Sequence, residues 1–211
     1  DEYWDVIYQY PRLTGGAIWD YVSPGISRSW ITTPDKSPND ITCALFNKAH
    51  LVEGKFGKSV YLSGQDDWIE VYRHPALDIS KDNLTLSFWV KPEKYNGNAY
   101  FLTKGDYQYG IIQSDADTLT FYVHTSDKTS INAEVSENWV DNWHHITGNY
   151  DGGELKLYID GELAGTKPCK GNITNGPYPV NIGKSSEIKD GHRGQLCHAT
   201  IDNVRIFDTT L

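Results

Sequence analysis

The sequence predicts an all-β chain, a two-sheet antiparallel jelly-roll β-sandwich, behind a short N-terminal helix-strand arm. From about Asp40 onward, short alternating stretches rich in Val, Ile, Leu and aromatics are separated by Gly, Asp, Asn and Pro, the grammar of sandwiches and jelly rolls. No stretch there has a convincing helical period. The central segment Trp143–Thr166, WHHITGNYDGGELKLYIDGELAGT, reads as three strands joined by tight turns. Asp151-Gly152-Gly153 makes the first turn and Asp160-Gly161 the second, because type I′ turns need positive φ at their central positions. Leu155, Leu157 and Ile159 alternate with Lys156, Tyr158 and Asp160, so the middle strand has two unlike faces. Such a meander cannot bury its apolar face alone, and an opposing sheet must cover it.

The elements follow in order. In residues 1–35, Tyr3, Trp4, Val6, Ile7 and Tyr10 have helical spacing that Pro11 ends. A short strand, Ala17-Ile18-Trp19, follows Gly15-Gly16. Residues 31–50 read as a junction, with a linker-like Pro/Ser/Asp composition and a boundary near Ser37. Strands follow at Lys58–Leu62, Trp68–Tyr72 and Leu84–Lys91. In the last of these, Leu84, Leu86, Phe88 and Val90 face one way and Thr85, Ser87, Trp89 and Lys91 the other, and Pro92 is expected to stop central pairing. Tyr100–Thr103, Tyr109–Gln113, Leu119–His124, a weak Asn132–Val135, Pro179–Ile182 and Thr200–Phe207 complete the set. Ile201, Val204 and Ile206 cannot all alternate, which predicts a bulge near Asp202-Asn203.

Bulk properties exclude several partners. The formal net charge of −9 argues against nucleic acid and anionic membranes, which need basic patches. No apolar run approaches the ~20 residues of a membrane span. The sequence has no methionine and starts at Asp1, so it is expected to be a fragment or processed form whose parent continues on both sides. Cys43, Cys169 and Cys197 are too few for a disulfide scaffold and lack zinc spacing. They read as idle thiols, with a Cys169–Cys197 bridge open if the protein is exported.

Two resemblances organise these readings. Tyr10-Pro11-Arg12-Leu13, Gly15-Gly16 and Trp19-Asp20 resemble a segment near the end of the catalytic barrel of family 2 glycoside hydrolases, the β-galactosidase group. The resemblance implies that Trp19 lies at the sugar pocket of a parent enzyme. It implies no catalysis by this chain. Retaining glycosidases need two carboxylates about 5 Å apart, and before Thr33 the sole glutamate is Glu2. An unrelated arm packed on the domain is the alternative. The second resemblance rests on Gly54-Lys55-Phe56-Gly57-Lys58-Ser59 with Asp66–Val71, on Leu84–Pro92, on Trp143–Gly161 and on Ala199–Phe207. These look like the laminin-G-like, concanavalin A-like jelly roll. The expected division is residues 1–36 as a barrel remnant and 37–211 as the jelly-roll module.

The resemblances imply a non-catalytic carbohydrate-binding-type module of a secreted or periplasmic β-galactosidase-like enzyme, holding a galactose-containing glycan. A structural insert for domain packing or dimerisation is the alternative, and it predicts an apolar patch over Trp89 and Tyr122. Alternation places Trp89, Tyr122, His124, His145 and Tyr158 opposite the aliphatic core, where aromatic rings stack on pyranose faces and His can hydrogen-bond hydroxyls. A second candidate cluster lies in loops: Tyr95, Tyr100, Tyr107, Tyr109 and Trp139. The jelly-roll resemblance also implies a structural Ca²⁺ held by Asp66, Asp67 and Asp202, since hard cations need six to eight oxygens; Asn203 stands where a second acid is usual. His144 and His145 are adjacent in a strand and must point apart, so they cannot share a metal. No strand carries the paired glutamates of glycanases with this fold.

Overall fold

A computed structural model describes residues 31–95, 97–105, 107–186 and 195–210. The expected helix, the Ala17–Trp19 strand and the barrel motif lie outside the described residues. The strands are β1 (Ile31–Thr33), β2 (Cys43–Phe46), β3 (His50–Glu53), β4 (Lys58–Ser63), β5 (Trp68–Val71), β6 (Leu84–Lys94), β7 (Ala99–Lys104), β8 (Tyr109–Asp115), β9 (Thr118–His124), β10 (Lys128–Glu134), β11 (His144–Tyr150), β12 (Glu154–Ile159), β13 (Glu162–Pro168), β14 (Val180–Ile182) and β15 (His198–Phe207), with a one-turn 3-10 helix at Pro75–Leu77. They form an eight-stranded sheet, β1-β2-β5-β14-β7-β8-β9-β10, and a seven-stranded sheet, β13-β12-β11-β6-β15-β4-β3. Every strand pairing is antiparallel. The architecture is the two-sheet sandwich that the alternation predicts. No helix among the described residues is long and apolar enough to cross a membrane.

The core lies between the sheets. Leu84, Leu86, Phe88 and Val90 of β6 are buried against Phe101 of β7, Ile111 of β8 and Leu119, Phe121 and Val123 of β9. Phe88 and Phe101 meet across the interface at 6.1 Å between ring centroids. Leu155 and Leu157 of β12 point into the same core. Full burial of each such side chain contributes about 1.5–3 kcal/mol.

The second turn of the central meander forms as the sequence dictates, whereas in the first only Gly152 takes positive φ. Asp160 and Gly161 have φ of 54° and 85°, positive at both positions as a type I′ turn requires. The Asp160 carboxylate does more than turn the chain. It accepts from the His145 N–H at 2.8 Å and pairs with His144 Nδ1 at 2.7 Å. The two histidines diverge as strand geometry requires: His144 is buried beneath Trp139, 4.6 Å between ring centroids, and His145 faces outward.

Three local expectations change. Pro92 does not end β6, which runs on to Lys94 and pairs Pro92 with Ala199 of β15. The missing N–H is tolerated because β11 begins with His144 opposite Val90, leaving Pro92 a strand neighbour on one side. Its carbonyl is used, accepting from Asp141 N at 2.7 Å. Ile31–Thr33 pairs with Cys43–Leu45 as an edge strand, so the sandwich takes in residues ahead of the 36/37 boundary. Strand β2 also fills part of what reads as junction, because it is only four residues long and too short to show a clear alternation. The bulge in β15 falls where the pattern predicts, with a register shift between Asp202 and Arg205 and Asn203 at φ 51°.

The Asp160 account predicts that Asp160→Ala destabilises the domain by about 1.5–3 kcal/mol, the scale for losing hydrogen bonds to a charged group. Urea unfolding should show the lower midpoint with an unchanged slope, and an unshifted midpoint would contradict it. Leu157→Ala should cost about 2–5 kcal/mol by opening a cavity between the sheets.

Candidate functional site

The five side chains expected on one face are divided between two. Trp89, His145 and Tyr158 stand on β6, β11 and β12, neighbours in the seven-stranded sheet, whereas Tyr122 and His124 stand on β9 in the eight-stranded sheet. Alternation tells which side of its own sheet a residue takes. It does not tell which sheet a strand joins, and β9 pairs with β8 and β10.

On the seven-stranded sheet, Trp89 is already covered by its own chain. The Lys55 ammonium lies 4.6 Å from the centre of its ring, and Phe56 meets it edge-on at 5.7 Å. Asp202 fixes that turn by accepting from the Phe56 N–H at 2.8 Å. His145 packs against Trp89 at 5.0 Å and exchanges a hydrogen bond with Ser87 at 2.9 Å. Burial, reinforced by the Arg205 charge, holds the His145 pKa below its ordinary value despite nearby Asp160. Tyr158 borders a shallow hollow of about 190 Å³ with Thr147, Asn149, Asp151, Lys156 and Thr210.

On the eight-stranded sheet, Tyr122 is a buried strut and offers no stacking face. Its hydroxyl donates to Gly105 O at 3.0 Å, and the Lys128 ammonium sits 4.2 Å over its ring. Gly110 makes room for it: a Cβ there would lie 2.6 Å from the Tyr122 oxygen. Tyr122 and Trp89 therefore share no patch, and the surface expected of an assembly insert does not form. Most of the loop cluster is structural too. Tyr100, Tyr109 and Trp139 are buried, Tyr109 donates to Leu77 O at 3.3 Å, Trp139 to Gln113 Oε1 at 3.1 Å, and Tyr95 to Ser114 O at 3.2 Å.

Tyr107 and His124, drawn from the two expected clusters, meet at one cleft. Their rings pack edge to face at 5.1 Å. The cleft has a volume of about 310 Å³ and is walled by Tyr107 and Gln108 from the β7–β8 turn, by His124, Thr125 and Ser126 from the end of β9, and by Thr174–Tyr178. Tyr107 is 61% exposed, and Tyr178 is half-buried.

Two buried polar side chains build the third wall. Lys104 is 1% exposed, and its ammonium donates to Asp78 Oδ1 at 2.9 Å, Gly176 O at 3.3 Å and Tyr178 O at 3.0 Å. All three of its protons are thus used. Gln108 donates from Nε2 to Ile79 O and to Asn175 Oδ1, both at 3.2 Å, and accepts from Gly176 N at 3.1 Å. Thr174 adds an N–H bond to His124 O at 2.9 Å and donates its hydroxyl to Tyr107 O. Burial would raise the Asp78 pKa, but the Lys104 and Arg73 hydrogen bonds and charges outweigh it and hold the carboxyl below its usual range. Gln108, Asn175 and Tyr178 escape sequence reasoning because they sit in turns without a period. A lysine inside a strand gives no sign that it will be buried.

The three carboxylates expected to hold calcium are not gathered. Asp67 is buried and its Oδ2 accepts from Ser63 N at 2.8 Å. Ser63 pairs with His198 and Val60 with Ile201, so Asp202 lies toward the other end of β4, about 13 Å away at the ~3.3 Å rise of a strand. Asp202 is also engaged by Phe56, and Asp66 is exposed. Among the described residues no group of three or more His, Cys, Asp or Glu side chains is arranged for a metal. Asp67 Oδ1 and Ser63 Oγ are buried oxygens without hydrogen-bond partners. The thiols are separate. Cys43, Cys169 and Cys197 are unbridged, and burial raises the Cys197 pKa, with Asp67 adding to it. Trp19 lies outside the described residues.

Comparison with known proteins agrees with this architecture. A family model for the concanavalin A-like lectin/glucanases superfamily (Laminin_G_3) matches residues 63–211. Similar solved structures include domain 4 of AbnA, a GH43 extracellular arabinanase from Geobacillus stearothermophilus, in complex with arabinotriose. That match has TM-score 0.60 and 19% identity and covers 81% of this chain and 84% of that one. The binding domain of Paraclostridial Mosquitocidal Protein 1 matches with TM-score 0.67 and 18% identity, over 84% of this chain and 46% of that chain. The binding domain of Botulinum Neurotoxin DC in complex with SialylT matches with TM-score 0.67 and 14% identity, over 84% of this chain and 45% of that chain. The chain thus spans less than half the length of the toxin domains it matches. No curated protein matches it. The chain belongs to the concanavalin A-like lectin/glucanases superfamily.

Proposed function

We propose that this chain is a carbohydrate-binding-type module that holds an oligosaccharide in the cleft between Tyr107, His124 and Tyr178. The observation that carries the reading is the cleft itself. Exposed and half-buried rings stand beside hydroxyl and amide groups, on walls braced from below by Lys104 and Gln108. Ring faces stack on pyranoses while Thr125, Ser126 and Asn175 offer donors and acceptors to hydroxyls. The volume, about 310 Å³, is at the low end of the ~300–1,000 Å³ of small-ligand sites, which suits a short saccharide or a chain end. The arabinotriose complex of the arabinanase domain supports the class of ligand.

The parent in this reading is a secreted family 2 glycoside hydrolase of the β-galactosidase type, and the ligand is a galactose-containing glycan. The support is the Tyr10–Asp20 motif. The module raises local substrate concentration without adding chemistry. Calcium enters as a structural ion, with Asp67 and Ser63 as the residues whose free buried oxygens would hold it.

Calorimetry with galacto- and arabino-oligosaccharides tests the site. Tyr107→Ala and Tyr178→Ala should each weaken binding about tenfold or more, equivalent to about 1.4 kcal/mol, while Trp89→Ala leaves affinity within about twofold of the parent. Loss of binding in Trp89→Ala alone would move the site to the other sheet, and no binding to any saccharide would sink the reading. For the ion, calcium at about 100 times its Kd should add about 2.7 kcal/mol to stability. An identical thermal transition in calcium and in chelator would contradict it.

A further inference from the structure

We infer that the cleft selects uncharged saccharides and discriminates against sulfated and carboxylated ones, because the one lysine or arginine among its described wall residues is spent inside the protein. The inference rests on the saccharide reading above and names the ligand class for that same site.

Among the described residues that wall the cleft, Lys104 is the one Lys or Arg, and none is Asp or Glu. An anionic glycan gains most from a free ammonium or guanidinium, the strongest partners of sulfate and carboxylate, and beyond Lys104 the described walls offer only hydroxyls, amides and the His124 imidazole. Lys104 cannot supply one. Its ammonium is 1% exposed, and its protons go to Asp78 Oδ1, Gly176 O and Tyr178 O. Releasing it to a ligand would leave Asp78 with Arg73 alone and free the wall that it holds. The next cation along the strand pair, Lys128 opposite His124, has its ammonium over the Tyr122 ring.

The surroundings act in the same direction. Asp127 follows the Thr125-Ser126 wall and accepts from the Ser126 hydroxyl at 3.4 Å. The chain carries a net charge of −9. A negative field lowers the local concentration of anions and their rate of arrival. What the cleft does offer is ring surface from Tyr107 and Tyr178, with hydroxyl and amide groups between them, and these satisfy neutral hydroxyls without a charge to neutralise.

The test is calorimetry on the whole chain with matched pairs: a neutral galactan oligosaccharide and its sulfated counterpart, and a neutral and a uronate oligosaccharide of equal length. The neutral members should bind at least about tenfold more tightly. Their Kd should stay within about twofold between ~50 mM and ~500 mM salt, since screening acts only on charge. Equal or tighter binding of a sulfated or uronate member, or a neutral Kd that weakens severalfold with salt, would overturn the inference and leave saccharide binding standing. No binding by any member would defeat the saccharide reading itself. Asp78→Asn supplies a second arm, with folding checked by near-UV circular dichroism. Freeing part of the Lys104 charge should narrow the neutral preference about threefold or more, and an unchanged ratio would overturn the assignment of Lys104 as the neutralised cation.

Discussion

An ammonium taken out of water must find partners for all its protons, because an unpaired buried charge costs several kcal/mol. Lys104 is where this sandwich meets that demand, and the loop corner is arranged around it. Asp78 follows the 3-10 turn, and Gly176 and Tyr178 lie ahead of β14. Two segments distant in sequence are thereby tied to the end of β7. Gln108 repeats the arrangement one turn away, joining Ile79, Asn175 and Gly176. The cleft walls are loops, yet they hang from buried polar side chains on the frame. Such prior ordering lowers the entropy that a ligand must otherwise overcome.

The same logic explains the quiet opposite face. Trp89 is a large ring on the outer side of a central strand and would be an exposed apolar surface if left bare. Lys55 and Phe56 cover it, and Asp202 anchors them through the Phe56 N–H. The bulge that sequence alternation demands in β15 lies next to that anchor. Asp202 is therefore accounted for by packing, and the acid motif that suggests calcium divides into a structural anchor at Asp202 and a buried carboxylate at Asp67.

How much was legible in the sequence follows from what is local. Period-2 alternation in Leu84–Val90 and Leu155–Ile159 identified strands and their inner faces. The Asp160-Gly161 turn followed from backbone φ alone, and His144 and His145 had to diverge. Strand partnership is not local. Tyr122 has the same outward pattern as Trp89, and only the pairing of β9 with β8 and β10 puts it on the other sheet. Tyr107 and His124 fall in separate groups in the sequence, because a ring contact between the β7–β8 turn and the end of β9 leaves no trace in spacing. Lys104 and Gln108 were missed for a similar reason: their burial depends on carbonyls and carboxylates supplied from Asp78–Ile79 and Asn175–Tyr178.

The central claim is that ligand binds at this one corner of the sandwich. Backbone amide shifts followed by NMR during titration with a neutral galacto-oligosaccharide test it most directly. The account predicts perturbations concentrated at Tyr107–Gln108, His124–Ser126 and Thr174–Tyr178, with the amides of Trp89, His145 and Tyr158 unmoved. Perturbations centred on those last three residues, with the cleft silent, would contradict it.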